Sequence, residues 1–183
     1  QLAAWNRHGA DHLQMSVNLA GCQVDELDLP HKVDQLLRIH GLDPASLCLE
    51  ITESMFMEDS AAVADGLQAL RKLGVHLAVD DFGTGYSSMQ YLRRFPLHTL
   101  KLDRCFVDGL DRNAADRAIV GSMIDLAHAL GLTAVAEGVE RAGQLEALRD
   151  LGCDLAQGFY WSPPVPADVF EAALDGRSAV ATP

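Results

Sequence analysis

An α/β fold built on a parallel sheet is what this sequence predicts, and a few observations carry that reading. Short β-rich runs alternate with longer helical stretches along most of the chain. Glycines stand where the helical stretches stop. Almost every expected strand carries a polar or ionisable residue near its C-terminal end.

The elements follow in order. Strands are expected near Met15–Ala20, Leu47–Thr52, His76–Asp81, Thr99–Asp103, Thr133–Glu137 and Leu155–Phe159, where β-branched and apolar residues cluster between turn formers. Helices are expected near Pro30–His40, Ser60–Leu73, Tyr86–Arg94, Ala114–Leu130, Ala142–Leu151 and Ala167–Leu174. Gly41, Gly74, Gly131 and Gly152 each follow an apolar helical run, as a C-terminal cap would. Asp59 or Ser60 and Asn113 read as helix starts. Repeated βα units put helices outside a parallel sheet, which is either open and doubly wound or closed into a barrel. No Gly-x-Gly-x-x-Gly follows the first strand, which weighs against a dinucleotide fold. Residues 1–174 read as one domain, and Asp175–Pro183 as a loosely ordered tail.

Composition narrows the function. With 183 residues and 49% hydrophobic content, the chain can bury one sizeable core. Its net charge of −12 repels a DNA or RNA polymer, and no Lys/Arg cluster offsets it. The closest basic pairs, Arg71-Lys72 and Arg93-Arg94, lie in helical contexts. A small anionic ligand stays compatible, because bound cations reverse local charge. Cys22, Cys48, Cys105 and Cys153 form no CxxC motif and read as reduced thiols of a cytoplasmic protein. No apolar run is long enough to cross a membrane, and no signal-peptide pattern opens the chain.

The polar strand ends are Asn18, Glu50, Asp80 with Asp81, Lys101, Glu137 and Gln157. A strand buried on both faces should be apolar throughout, and isolated buried polar groups are costly. In a parallel barrel these ends would meet at one mouth, where catalytic groups gather. Carboxylates and an amide gathered there suit Mg2+ or Mn2+. Two such ions about 4 Å apart form a clamp for phosphoryl chemistry. The plainer alternative is that each acid faces solvent at its own strand end; the recurrence at one end of almost every strand weighs against it.

Val17-Asn18-Leu19, Leu49-Glu50-Ile51-Thr52-Glu53-Ser54, Asp80-Asp81-Phe82-Gly83-Thr84-Gly85-Tyr86-Ser87-Ser88, Leu100-Lys101-Leu102-Asp103, Ala136-Glu137-Gly138-Val139-Glu140 and Gln157-Gly158-Phe159 resemble the EAL-domain family in order and spacing, from near residue 1 to about Pro164. The resemblance implies a modified, TIM-like (β/α)8 barrel that hydrolyses cyclic di-GMP to linear pGpG with Mg2+ or Mn2+, two ions in all. It implies Asn18, Glu50 and Asp80 as ligands of one metal, with Asp80 bridging to a second alongside Asp81 and Glu137. Lys101 would orient the attacking water, Gln157 would support the mouth, and Glu53 would anchor the loop after Asp81. Asp103 and Glu140 would stand behind these or touch ligand. Adjacent strand residues point to opposite faces, so Asp80 and Asp81 are expected to share the site only if the strand ends there, with Gly83 and Gly85 allowing a sharp departure. The resemblance also implies a homodimer with contacts near the loop and helix after Asp81, and fused sensory or diguanylate cyclase-like domains. Such domains could attach the whole protein to a membrane.

The family's Glu-Ala-Leu segment is expected upstream of the Asn18 strand, and the chain opens at Gln1-Leu2-Ala3-Ala4-Trp5 instead, which resembles the end of the preceding helix. The barrel is therefore expected to be incomplete at its N-terminus, with about six strands where closure takes eight, and the isolated chain to hydrolyse poorly. A receptor that holds cyclic di-GMP without cutting it is the alternative; intact Asn18, Glu50, Glu53, Asp80, Asp81, Lys101, Glu137 and Gln157 favour the enzyme. An unrelated metal-dependent hydrolase would require the motif match to be coincidence. Among lesser signals, His8 and His12 have metal-pair spacing without a third ligand. Gly83-Thr84-Gly85 reads as a turn that positions Asp81 rather than a phosphate cradle, Trp5 and Trp161 as packing residues, and Glu58-Asp59 as a solvated helix start.

Overall fold

The computed structural model describes residues 1–7, 13–24, 28–53, 55, 61–85 and 89–174. Its strands are β1 (Met15–Leu19), β2 (Leu47–Thr52), β3 (His76–Phe82), β4 (Thr99–Leu102), β5 (Thr133–Ala136) and β6 (Leu155–Ala156), all parallel and adjacent in chain order. The helices are α1 (Leu2–Arg7), α2 (Gly21–Val24), α3 (Leu29–His40), α4 (Ala61–Leu73), α5 (Met89–Arg94), α6 (Arg104–Val107), α7 (Ala114–Ala129), α8 (Ala142–Asp150) and α9 (Ala167–Leu174). Each strand leads to its neighbour through at least one helix, which is the βα repetition expected from the sequence. No pairing among the described residues joins β6 to β1, so the sheet is open between them.

Strand register explains why the residues sort as they do. Asn18 stands opposite Glu50, Thr52 opposite Asp80, and Lys101 opposite Val135. Side chains alternate along each strand, so Asn18, Glu50, Asp80 and Lys101 share one face. Leu49, Ile51, Leu77, Val79, Leu100 and Ala134 take the other, where they pack with Val33, Leu67, Val120 and Ile124 of the surrounding helices. Val63, Leu67 and Leu70 of α4 form a single buried stripe at helical spacing. Fully burying each such leucine or valine contributes about 1.5–3 kcal/mol. A smaller cluster joins Leu2 and Trp5 of α1 to Phe170 of α9, with the Trp5 and Phe170 ring centroids 4.9 Å apart.

The helix stops behave as the sequence implies: Gly41, Gly74, Gly131 and Gly152 all have positive φ, a conformation glycine adopts without side-chain strain. Asn113 caps α7 by accepting from the Ala115 N–H at 2.9 Å. Trp161 packs edge-on against Tyr160, with centroids 5.3 Å apart. Cys48, Cys105 and Cys153 are free thiols. No described helix is long and apolar enough to cross a membrane.

Three expectations need correction. The last strand ends at Ala156 rather than Phe159, because the chain turns at Gly158 so that Gln157 and Tyr160 bond Val139, in the segment after β5. The third strand does not end at Asp81 but runs on to Phe82 through a register shift. The four-residue helices α2 and α6 were not expected. His8, His12, Glu58, Asp59, Ser60, residues 86–88 of the helix expected at Tyr86–Arg94, and the tail from Asp175 lie outside the described residues.

Candidate active site

Lys101 is the centre of the polar strand ends. Its Nζ lies 2.8 Å from Glu50 Oε1, 2.8 Å from Asp80 Oδ1 and 2.6 Å from Glu137 Oε1. Both Lys101 and Glu50 are buried, at 6% and 8% exposure. Burial disfavours the ammonium, but the hydrogen bonds it donates to Asp80, Glu137 and Glu50 outweigh that and raise the Lys101 pKa well above the ordinary lysine value. Lys101 is therefore cationic at neutral pH. Gln157 Nε2 donates to Glu137 Oε1 at 2.7 Å, which ties the segment just after β6 to the same cluster.

Asp80 and Asp81 both reach the site by an unexpected device. Between Val79 and Phe82 the register with β4 slips, and Asp81 takes a φ of 53°, the one positive φ among the described non-glycine residues. A bulge of this kind inserts a residue and re-aims its side chain. Asp80, Asp81 and Glu137 consequently offer carboxylate oxygens within 4.8 Å of one another. Burial, then the Asp80 and Asp103 carboxylates, push the Asp81 pKa upward. Burial likewise raises Glu137, with Asp80 and Glu50 adding to it and Lys101 opposing it. Asp103 is held the other way, chiefly by a hydrogen bond from Cys105, and it caps α6 through the Cys105 N–H at 2.9 Å.

One lysine against Glu50, Asp80, Asp81 and Glu137 leaves an excess of negative charge. The donors are carboxylate oxygens, which fit Mg2+ or Mn2+ and not a thiophilic metal. The residues present therefore fit a divalent cation held by Asp80, Asp81 and Glu137. Asn18 sits in register with Glu50 on the same face but is exposed at the open edge of the sheet.

The turn after β3 is pinned from beneath. Glu53 is 7% exposed, and its Oε2 accepts from the Gly83 N–H at 2.9 Å and the Gly85 N–H at 3.3 Å. A side chain at Gly85 would press on that carboxylate. Glu140 pairs with Arg104 at 2.8 Å beside a cavity of about 370 Å³, lined among others by Glu137, Gln157, Phe159 and Pro163. The structure thus brings together Glu50, Asp80, Asp81, Lys101, Asp103, Glu137 and Gln157, and sets Glu53 and Glu140 beside them. A Glu146-Ala147-Leu148 tripeptide does occur, but on α8, where Ala147 and Leu148 are 3% and 1% exposed in the core. Gln144, fully buried behind the turn that carries Glu137, had escaped sequence reasoning. Its position three residues after the helix start at Arg141 was the available signal.

Known proteins resemble this chain in sequence and fold. A sequence profile described as the EAL domain matches residues 1–164. The chain is 41% identical over 174 residues to MucR of Pseudomonas aeruginosa, named as a bifunctional diguanylate cyclase/cyclic di-GMP phosphodiesterase; the match covers 95% of this chain and 25% of MucR. A solved c-di-GMP complex of the MucR phosphodiesterase has a TM-score of 0.85 at 41% identity, covering 91% of this chain and 68% of that one. The EAL domain of Mycobacterium smegmatis DcpA gives 0.90 at 37% identity, over 95% and 78% of the two chains. A manganese and c-di-GMP complex of Klebsiella pneumoniae BlrP1 gives 0.77 at 34% identity, over 82% and 39%. The chain spans 21% to 25% of the length of the first curated relatives it matches.

Proposed function

The chain belongs to the EAL-domain family, and on that premise we propose that its acidic cluster hydrolyses cyclic di-GMP to linear pGpG with Mg2+ or Mn2+. The observation that carries the reading is the convergence of Asp80, Asp81 and Glu137 around a buried, charged Lys101. Asn18, Glu50 and Asp80 would hold one metal, and Asp80 with Asp81 and Glu137 the other. Divalent cations bound there supply Lewis acidity, acidifying the attacking water and offsetting charge on the phosphate.

The chain's own groups do the rest. The Lys101 ammonium, fixed by three carboxylates, orients the water and offsets charge developing on the phosphate oxygens. Water adds to phosphorus and one ring phosphodiester bond breaks, so the departing sugar oxygen gains the proton and the product is linear. Gln157 holds the Glu137 carboxylate in place at 2.7 Å. Glu53 holds the turn that presents Asp81. The cavity beside Glu137 combines the Arg104 guanidinium, the Glu140 carboxylate and the Phe159 ring, groups that can bind a nucleotide through charge, hydrogen bonds and stacking. The expected homodimer would cover the apolar groove between the Phe82–Gly83 turn and Ile119, Met123 and Leu126 of α7. Sensory or cyclase domains attached to this one would regulate it.

The test is product analysis by ion-pair chromatography with Mg2+ or Mn2+, for wild type, Asp80→Asn and Glu137→Gln. Linear pGpG formed slowly by wild type, as expected of the isolated chain, and its loss in both variants is the expected result. Tight binding of intact cyclic di-GMP with no product, at any metal concentration, would replace the enzyme with a receptor.

A further inference from the structure

The segment Glu137-Gly138-Val139-Glu140-Arg141 between β5 and α8 has no regular secondary structure, yet it carries Glu137 beside Lys101 and Glu140 beside Arg104. Such a turn keeps its acids in place only if something holds its backbone. Gln144 does so from inside the molecule. It is 0% exposed, a rare state for an amide side chain. Its Oε1 accepts from the Glu140 N–H at 2.8 Å and the Arg141 N–H at 2.9 Å, and its Nε2 donates to the Val107 carbonyl at 3.1 Å.

The first two bonds are of the kind that starts a helix, where a glutamine at the third position reaches back to the cap. The third is not required by any helix start. It crosses to the end of α6, which begins immediately after Asp103, three residues beyond Lys101. One buried amide therefore joins the segments leaving β4 and β5, the strands that deliver Lys101 and Glu137. The outer face of the same junction is tied by Arg141 to Asp111 at 2.9 Å and by Arg104 to Glu140 at 2.8 Å. Those pairs are partly solvated and weak individually. A hydrocarbon at position 144 would leave the Glu140 and Arg141 N–H groups without their acceptor in the interior and the Val107 carbonyl with the Leu110 N–H in place of two donors, so the turn would shift to find others.

We propose that Gln144 is a positioning residue for the acidic cluster: it locks the Glu137–Arg141 turn onto α6 and so fixes Glu137 against Lys101 and Asp80, which sets the affinity of the site for a divalent cation. The proposal rests on the phosphodiesterase reading above, and its test separates the two. Mn2+ binding to the full chain is measured by electron paramagnetic resonance without substrate, for wild type, Gln144→Leu, Gln144→Glu and Leu148→Ala. Leu148 lies on the same helix, is buried, and makes no polar contact with the turn, so its truncation reports destabilisation alone. Melting temperatures in chelator rank the variants by stability, and turnover at saturating Mn2+ gives kcat and KM.

Gln144→Leu should weaken Mn2+ binding and lower kcat, each roughly tenfold, as loss of an outer support of a metal site does, while KM changes little. Gln144→Glu keeps the acceptor for both N–H groups and should recover part of the loss. Leu148→Ala should keep Mn2+ affinity close to wild type even at an equal or larger drop in melting temperature. If Gln144→Leu does not fold, Gln144→Met replaces it, with Mn2+ affinity below that of Gln144→Glu. Equal Mn2+ affinity across the series, or losses that simply follow melting temperature, would overturn the proposal. A wild-type chain that neither binds Mn2+ nor turns over would overturn the metal-site reading and this inference together.

Discussion

Replacing Lys101 by methionine removes the single cation from a buried cluster and leaves its stem in place. Glu50, Asp80 and Glu137 lie 2.6–2.8 Å from the ammonium that would be lost. Breaking a buried ion pair from one side costs about 3–5 kcal/mol, because the remaining charge stays desolvated. Here the carboxylate side chains are 10–18% exposed, so water relieves little of that cost. The lower figure, about 3 kcal/mol, corresponds to a fall in melting temperature of roughly 6–12 °C for a chain of this size. The assay is thermal unfolding by circular dichroism, first in chelator and then with millimolar Mn2+. Metal should restore much of the deficit, since a divalent cation replaces the missing positive charge among the same oxygens. Activity should stay low even so, because the ammonium no longer faces the reacting phosphate. Equal melting of variant and wild type in chelator would refute the reasoning. So would a deficit that Mn2+ leaves untouched.

Other perturbations reach the supports of the site. Glu53→Ala leaves the Gly83 and Gly85 N–H groups without their acceptor, worth about 1–3 kcal/mol; turnover should fall roughly tenfold or more while Mn2+ still binds, and unchanged turnover at saturating metal would remove Glu53 from the account. Gly158→Ala would drive a methyl into the Val139 backbone and break the bonds Val139 N–H to Gln157 O and Tyr160 N–H to Val139 O; the denaturant midpoint should drop by the equivalent of about 2 kcal/mol or more, and a wild-type midpoint would show that the two loops do not need this close approach. His98 gives a pH signature away from the metal ligands. Its Nδ1 accepts from the Leu77 N–H at 3.1 Å, and burial, His76 and Arg71 hold its pKa below the ordinary 6.5. A depressed imidazole is neutral in the folded state while the unfolded chain already takes up a proton, so stability is full above about pH 6.5 and falls as pH drops below it. His98→Asn, which can accept the same bond without titrating, should flatten that acid limb in urea unfolding; an unchanged limb would assign it to other groups.

Much of the site was legible because parallel strands are so uniformly apolar. Glu50 between Leu49 and Ile51, or Lys101 between Leu100 and Leu102, stands out against such a background, and the side-chain period of two then places the polar residues on a common face. The helix stops were legible for a similar reason, since Gly41 or Gly152 needs a conformation that other residues avoid. The bulge at Asp81 was hidden, because a positive φ at an aspartate leaves no mark in hydropathy or composition. The helix Arg104–Val107 is a single turn, too short to show a period. Leu155–Phe159 looks like a full strand, yet Gly158 allows the chain to pair with Val139 instead of continuing the ladder. Gln144 was hidden because its cap position is an arginine, not the serine or threonine that usually signals a reciprocal helix start.

The most direct test of the account is the fate of cyclic di-GMP in 18O-labelled water with Mn2+, followed by mass spectrometry of the nucleotide. Hydrolysis at the Asp80, Asp81 and Glu137 cluster predicts linear pGpG carrying one solvent-derived oxygen on its terminal phosphate, and none from Asp80→Asn. Unaltered cyclic di-GMP recovered from a protein that binds it, or equal labelled product from Asp80→Asn, would contradict the central claim.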